Sequence, residues 1–91
     1  MPNKGNYINL ASAAAQHANN IRQLQARLNN AAPAQAEAVY RFWSGKIARD
    51  SNNINRRAER LGLAVNRYRK GTREYYTTLV NLAKNKMRNY P

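Results

Sequence analysis

The sequence predicts an all-α protein, an antiparallel two-helix hairpin that turns at Trp43-Ser44-Gly45. In both halves of the chain, apolar residues recur at alternating spacings of four and three residues, and no alternating run of Val, Ile and Thr indicates a strand. Trp43-Ser44-Gly45 lies near the middle of the 91 residues, where a turn would give two helices of similar length. We therefore expect one helical-hairpin domain over residues 1–91.

The first helix is expected from about Tyr7 to Phe42. The residues at this spacing are Tyr7, Ala11, Ala14, Ala18, Ile21, Gln25, Leu28, Ala32, Gln35, Val39 and Phe42. All of them except the two glutamines are apolar. Alanine at the start of this series would let a facing helix approach closely. Pro33 is the weak point, because an interior proline removes a hydrogen bond and kinks or breaks a helix. The Asn29-Asn30 pair before it consists of poor helix formers.

The second helix is expected from about Lys46 to Arg88. Its series is Ile47, Ser51, Ile54, Ala58, Leu61, Val65, Tyr68, Thr72, Tyr75, Leu79 and Leu82. The spacing does not slip across Gly62 or Gly71, which favours one continuous helix on the order of 60 Å long. The alternative is a helix end at Gly71 and a restart at Thr72, with Glu74 in the new first turn.

A three-helix topology competes with the hairpin. Proline is favoured in the first turn of a helix, so a helix could begin at Pro33 and pass straight through Ser44-Gly45. An interior glycine costs only about 1 kcal/mol relative to alanine, so Gly45 does not forbid this. The helices would then cover about 8–31, 33–70 and 72–89.

The predicted hairpin needs a partner to bury its apolar face. A chain of this size has a thin core, and each helix of a hairpin has only one neighbour. From Tyr75 onward the apolar face widens, which indicates contact with more than one helix. The predicted partner interface consists of Ile54, Leu61, Val65, Tyr68, Tyr76, Leu79, Val80 and Met87.

The net charge of +12 arises from 16 Lys and Arg against 4 Asp and Glu, and about ten of these charges lie in residues 41–91. Arg49, Arg56, Arg60 and Arg67 follow a 7-4-7 spacing and would form one stripe along the second helix. Such a stripe can contact phosphates or an acidic partner, and the charge alone predicts weak nucleic-acid binding at low salt. The alternative is a solvated face that only keeps the protein soluble.

Catalysis is not expected. The single histidine, His17, has no acidic residue within a helical turn, and no glycine-rich phosphate loop or Ser/His/Asp arrangement is present. The absence of cysteine excludes disulfides and thiolate metal sites, and no cofactor is predicted. No apolar run approaches the ~20 residues of a membrane span, and residues 1–7 contain no apolar core of a signal peptide.

In length and expected architecture, and locally in Trp43-Ser44-Gly45 and the following Lys46-Ile47-Ala48, the chain resembles the WXG family. These are the hundred-residue Trp-x-Gly proteins that type VII systems secrete. The resemblance implies helical hairpins that pair as four-helix homodimers or heterodimers. It also implies a secreted substrate, or the partner of a larger one, without a cleavable signal peptide.

Two features depart from the WXG family. Its export signal is commonly Tyr-x-x-x-Asp/Glu, but Thr72, Leu79 and Val80 occupy the fourth position after Tyr68, Tyr75 and Tyr76. Many members are also acidic or near neutral, unlike this chain. Either a partner carries the export signal, or the chain is not exported alone.

The expected function is therefore that of a non-enzymatic type VII secretion substrate or adaptor that acts through helix pairing. Its partner would be a second copy, an acidic sister hairpin or the helical N-terminal part of a larger secreted protein. The alternative function is a small basic nucleic-acid-binding protein. The expected location is secreted without a cleavable signal peptide, and otherwise cytoplasmic.

Overall fold

The computed structural model describes residues 3–90, which form three α-helices and no strand. They are α1 (Lys4–Asn30), α2 (Pro33–Arg60) and α3 (Arg73–Arg88). The all-α prediction is confirmed for these residues. The three-helix topology that competed with the hairpin is the one observed, although α2 ends earlier than its expected limit near residue 70.

The chain reverses direction at Ala31 and Ala32, which are extended, with ψ angles of 146° and 154°. A residue before proline is pushed out of the helical region, and Pro33 is itself well suited to the first turn of a new helix. Helices α1 and α2 then run antiparallel. Near the reversal, the Arg27 guanidinium lies 5.5 Å from the centre of the Trp43 ring.

The predicted turn at Trp43-Ser44-Gly45 is wrong, because all three residues lie inside α2. Gly45 does not have a positive φ, and it is followed by four further helical turns that keep the α2 spacing. The modest cost of one interior glycine is smaller than the loss of backbone hydrogen bonds that a break there would cause. The hairpin turn occurs at the proline instead.

The predicted continuous second helix is also wrong, since residues 61–72 form a loop between α2 and α3. Gly62 and Gly71 have φ angles of 71° and 93°, which favour glycine, and Gly62 directly follows the C-cap of α2. Of the alternative, the restart at Thr72 is confirmed, since the Thr72 hydroxyl accepts a hydrogen bond from the Tyr75 N–H at 3.2 Å and Glu74 lies in the first turn. The helix end expected at Gly71 is wrong, because α2 already ends at Arg60.

Helix α1 lies at the centre and packs on both of the other helices. The ring contacts His17–Tyr76 and Tyr7–Tyr90 show that α3 runs antiparallel to α1. The core consists of Tyr7, Leu10, Ala11, Ala14, Ala18, Ile21, Ile54, Ala58, Leu63, Tyr75, Tyr76, Leu79, Val80 and Ala83.

Much of the predicted partner interface lies in this intramolecular core. Ile54, Tyr76, Leu79 and Val80 are buried, and Leu61, Val65 and Met87 pack against them from partly buried positions. The wide apolar face of the C-terminal segment is therefore covered by the chain's own helices. Only Tyr68 among the eight residues is exposed.

The far end of the α1–α2 pair forms a two-helix tip, residues 22–46, because the buried positions of α1 stop at Ile21. At this tip Tyr40 is 58% exposed and Phe42 is 74% exposed. Phe42 packs edge-on against Trp43, with ring centres 5.8 Å apart. The described chain is accordingly elongated, 52 × 20 × 18 Å.

Candidate nucleic-acid interface

The loop between α2 and α3 is anchored to the end of α2 by backbone hydrogen bonds. The N–H of Leu63 donates to the Ala58 carbonyl, and the N–H of Gly62 donates to the Glu59 carbonyl, both at 3.0 Å. This pair of bonds is a Schellman motif, which needs the left-handed residue that Gly62 provides. Leu63 and Ala58 are both buried, so the motif also has its usual apolar contact.

The other end of the loop is fixed to the start of α3. The Thr72 hydroxyl donates to the Arg69 carbonyl at 2.8 Å and caps the first turn of α3. The Lys70 ammonium lies 3.5 Å from the Glu59 carboxylate, which ties the loop back to α2. Since both ends are held, the exposed side chains of the loop project from a defined backbone.

Basic side chains are concentrated on and around this loop. Residues 56–73 contain seven Lys and Arg and a single acid, Glu59. We call the exposed members of this set the basic loop surface: Arg56, Arg60, Arg67, Arg69, Lys70 and Arg73. Among residues 3–90, Lys70 is the only member of this surface whose side chain pairs with a carboxylate. The surface therefore has a large uncompensated positive charge.

The fold does not require all of these charges. Arg60 lies in the last turn of α2, where a cation interacts favourably with the helix dipole. Arg73 begins α3, where a cation opposes the dipole, and Glu74 beside it offsets this only in part. Arg67 and Arg69 lie in the loop and have no carboxylate partner in the described chain. Arg67, Arg69 and Arg73 therefore have no evident role in stability.

An aromatic side chain interrupts the positive charge. Tyr68 is 42% exposed and stands between Arg67 and Arg69 in the loop. Aromatic rings next to basic groups are the usual means of binding single-stranded nucleic acids, since every base can stack on them. Tyr75, at the start of α3, is buried instead, and this burial raises the pKa of its hydroxyl while nearby Lys70 acts in the opposite direction.

The predicted arginine stripe is only partly present. Arg49, Arg56 and Arg60 are exposed on α2, but Arg67 lies in the loop, so the regular spacing along one helix ends at Arg60. Sequence reasoning did not single out Arg69 or the pairing of Tyr68 with its two basic neighbours. The available signal was the Arg-Tyr-Arg-Lys run between two glycines, which is typical of a basic loop.

Other kinds of site find less support in the described part of the chain. No group of three or more His, Cys, Asp or Glu side chains within residues 3–90 could hold a metal ion. None of the helices α1 to α3 combines the length and the apolar character needed to cross a membrane. Comparisons with family models, curated proteins and solved structures return no match for this chain. Membership of the WXG family stays a prediction, and its turn motif lies within a helix.

Proposed function

We propose that this chain is a small nucleic-acid-binding protein that contacts phosphates through the basic loop surface and does not read base sequence. The observation that carries the proposal is the concentration of six exposed cations on residues 56–73, with one carboxylate among them. Phosphate contacts from Lys and Arg release condensed counterions and supply most non-specific affinity.

The anchored backbone supports this function because it fixes the spacing of the cations before binding. A preorganised loop loses less conformational entropy when it meets a ligand. Tyr68 adds a stacking surface, which contributes about 1–3 kcal/mol per base when bases are unpaired. We therefore expect tighter binding to single strands than to a duplex of the same length.

The test must separate this surface from the overall charge of +12, which alone attracts nucleic acids at low salt. One variant replaces Arg56, Arg67 and Arg69 with Gln. Its control replaces Arg22, Lys84 and Lys86 with Gln, three exposed cations outside the loop. Both variants lose three positive charges, so their long-range electrostatics are matched.

Binding of a labelled poly-dT strand is followed by fluorescence anisotropy as salt increases. For single strands each lost phosphate contact reduces the salt slope by about 0.7, so the loop variant should lose about two units. The control should lose much less and retain measurable affinity at about 0.15 M salt, where screening acts over ~8 Å. Equal losses in the two variants would show that the overall charge, and not the loop, binds the strand.

A second candidate function is that of a helix-pairing partner, as in type VII secretion, and the exposed tip favours it. Tyr40 and Phe42 are large, exposed and outside the core, on a part of the chain with only two helices. Two helices from a partner would complete a four-helix bundle there. Light scattering tests this: the wild type, alone or with an acidic helical partner, should form a dimer that Phe42→Ser together with Tyr40→Ser abolishes. A monomer under both conditions contradicts it.

A further inference from the structure

A positively charged hollow lies between the start of α1 and the end of α2. We call it the helix hollow; its volume is about 310 Å³, and it is lined by Asn6, Asn9, Asn53, Arg57, Arg60 and Leu61. Among the described residues that form this lining, none is acidic. Neither Arg57 nor Arg60 pairs with a carboxylate in the part of the chain that the structure describes. The helix hollow therefore has two uncompensated positive charges.

Three asparagines add uncharged hydrogen-bonding groups around the two arginines. The side-chain oxygen of Asn6 accepts a hydrogen bond from the Asn3 N–H at 2.8 Å in the cap of α1, which leaves its NH₂ group to donate. Asn9 lies one turn further along α1, and Asn53 lies one turn before Arg57 on α2. Asparagine and arginine both donate commonly to the phosphate and sugar oxygens of nucleic acids, and these contacts do not depend on base sequence.

The helix hollow is continuous with the basic loop surface, because Arg60 belongs to both. On the flank of α2 where Asn55 contacts α3, a second hollow is lined by Arg56 and Lys70 of the basic loop surface. Successive helical residues are about 100° apart, so Arg60 lies between Arg56 and Arg57 around the axis of α2. Cations therefore follow one another across the end of α2, from the loop to the helix hollow.

We propose that a single strand bound to the basic loop surface continues over Arg60 into the helix hollow, where Arg57 binds a further phosphate. The inference rests on the proposed function and adds the path of the strand beyond the loop. Phosphate oxygens accept charge-assisted hydrogen bonds from a guanidinium, which are among the stronger ones in proteins. The path ends at Lys46 and Asp50, whose charges offset each other in an ion pair of 3.1 Å.

The occupant that fits this path is a nucleic-acid strand. An acidic peptide would also meet Arg57 and Arg60, but Leu61 is the single apolar residue of the described lining that could receive its side chains. A strand needs only donors for its phosphate and sugar oxygens, and the arginines and asparagines supply these.

The test measures binding of a labelled oligo-dT strand to single-residue variants. The two shorter dimensions of the described chain are 20 and 18 Å. Stacked nucleotides advance about 3.4 Å each, so a strand of about twelve nucleotides can cross this width. Fluorescence anisotropy gives the affinity at about 0.15 M salt, and circular dichroism checks that each variant is folded.

Arg57→Gln should weaken binding of the strand about tenfold, the loss expected for one charge-assisted hydrogen bond. The matched control is Arg22→Gln, which removes an exposed arginine of α1 outside the helix hollow. Its effect should be no more than about twofold, because salt screens a charge that lies further from the strand than about 8 Å.

A second pair of variants leaves the size of the side chain unchanged. Asn9→Asp places a carboxylate in the helix hollow and should weaken binding about fivefold, the repulsion of two charges about 4 Å apart in water. Asn19→Asp makes the same change at an exposed position of α1 outside the hollow and should have a much smaller effect.

Arg67→Gln, in the loop itself, distinguishes failure of this inference from failure of the proposed function. If Arg67→Gln weakens binding but Arg57→Gln and Asn9→Asp do not, the strand stays on the loop and the inference is overturned, while the proposed function stands. If none of the three variants weakens binding, both are overturned. An oligoglutamate peptide of the same charge is titrated in parallel: if Arg57→Gln weakens binding of the peptide and not of the strand, the hollow binds an acidic protein segment, and the inference is also overturned.

Discussion

Replacing Gly45 with alanine should stabilise the protein, because this glycine lies inside α2. Its φ is not positive, and a Cβ atom would meet only the Arg49 Nη1 at 3.7 Å, an ordinary contact. Alanine in a helix interior is favoured over glycine by about 1 kcal/mol. For a domain of this size 1 kcal/mol raises Tm by about 4–8 °C. Urea and thermal unfolding followed by helical circular dichroism measure both quantities.

Gly62→Ala is the matched comparison, because a Cβ there meets no atom within 4 Å, so neither substitution creates a close contact. Its φ of 71° is left-handed, where a side chain costs roughly 1–2 kcal/mol. Relative to the wild type, Gly45→Ala should raise the free energy of unfolding and Gly62→Ala should lower it. The two variants should therefore differ by about 2–3 kcal/mol in this free energy. If Gly45→Ala destabilised the protein as much as Gly62→Ala does, Gly45 would belong to a turn, and a continuous α2 through this residue would be refuted.

Three further predictions concern the core and the tip. Burial lowers the pKa of His17 in the folded state from its ordinary value of 6.5, so the unfolded chain binds the proton more tightly. The free energy of unfolding should therefore fall as the pH drops below 6.5 toward the folded pKa. His17→Gln should remove most of this pH dependence in urea titrations at several pH values. Tyr76→Phe should cost about 1–3 kcal/mol in urea unfolding, because Ser51 and Asn55 lose a partly buried hydrogen-bond partner; no change would mean that this network adds nothing. Phe42→Ser should change the stability of the monomer by no more than about 0.5 kcal/mol in the same assay, as expected for an exposed side chain; a larger loss would place Phe42 in the core.

The sequence predicted the helical periodicity well and the helix ends poorly. The α1 positions Tyr7, Ala11, Ala14, Ala18 and Ile21 were expected on one face, and all five are buried. A regular spacing reports which residues share a face, but it continues across a loop when the next helix happens to keep the same phase. The unbroken apolar spacing across residues 61–72 was of this kind. The local conformation of the glycines, and not the spacing, therefore determined where the helices end.

The topology depended on the relative strength of two breaking signals. The turn was predicted at Trp43-Ser44-Gly45 because of its central position. Pro33 breaks a helix more strongly, because it lacks a backbone N–H donor and restricts the conformation of the residue before it. These two effects of proline predict a chain reversal at Pro33, and the three-helix alternative began its second helix there.

The candidate sites were predictable to different degrees. The excess of basic residues in the second half was evident from composition, but which cations share a surface depends on where α2 ends. His17 was expected to be a non-catalytic residue at the surface or its boundary, since no acid lies near it in sequence. That position is wrong, because the side chain is 2% exposed. Its charged neighbours Lys46 and Asp50 are brought to α1 by α2, and a single sequence contains no signal for that contact.

Binding of nucleic acid through the basic loop surface can be mapped residue by residue. Amide resonances of the ¹⁵N-labelled protein are followed as a poly-dT strand is added at about 0.15 M salt, where non-specific attraction is largely screened. The largest shifts should lie in residues 56–73, with Tyr68 among them, and the resonances of the tip around Phe42 should be unchanged. Shifts spread evenly over all exposed basic residues, or confined to the tip, would contradict binding through this surface.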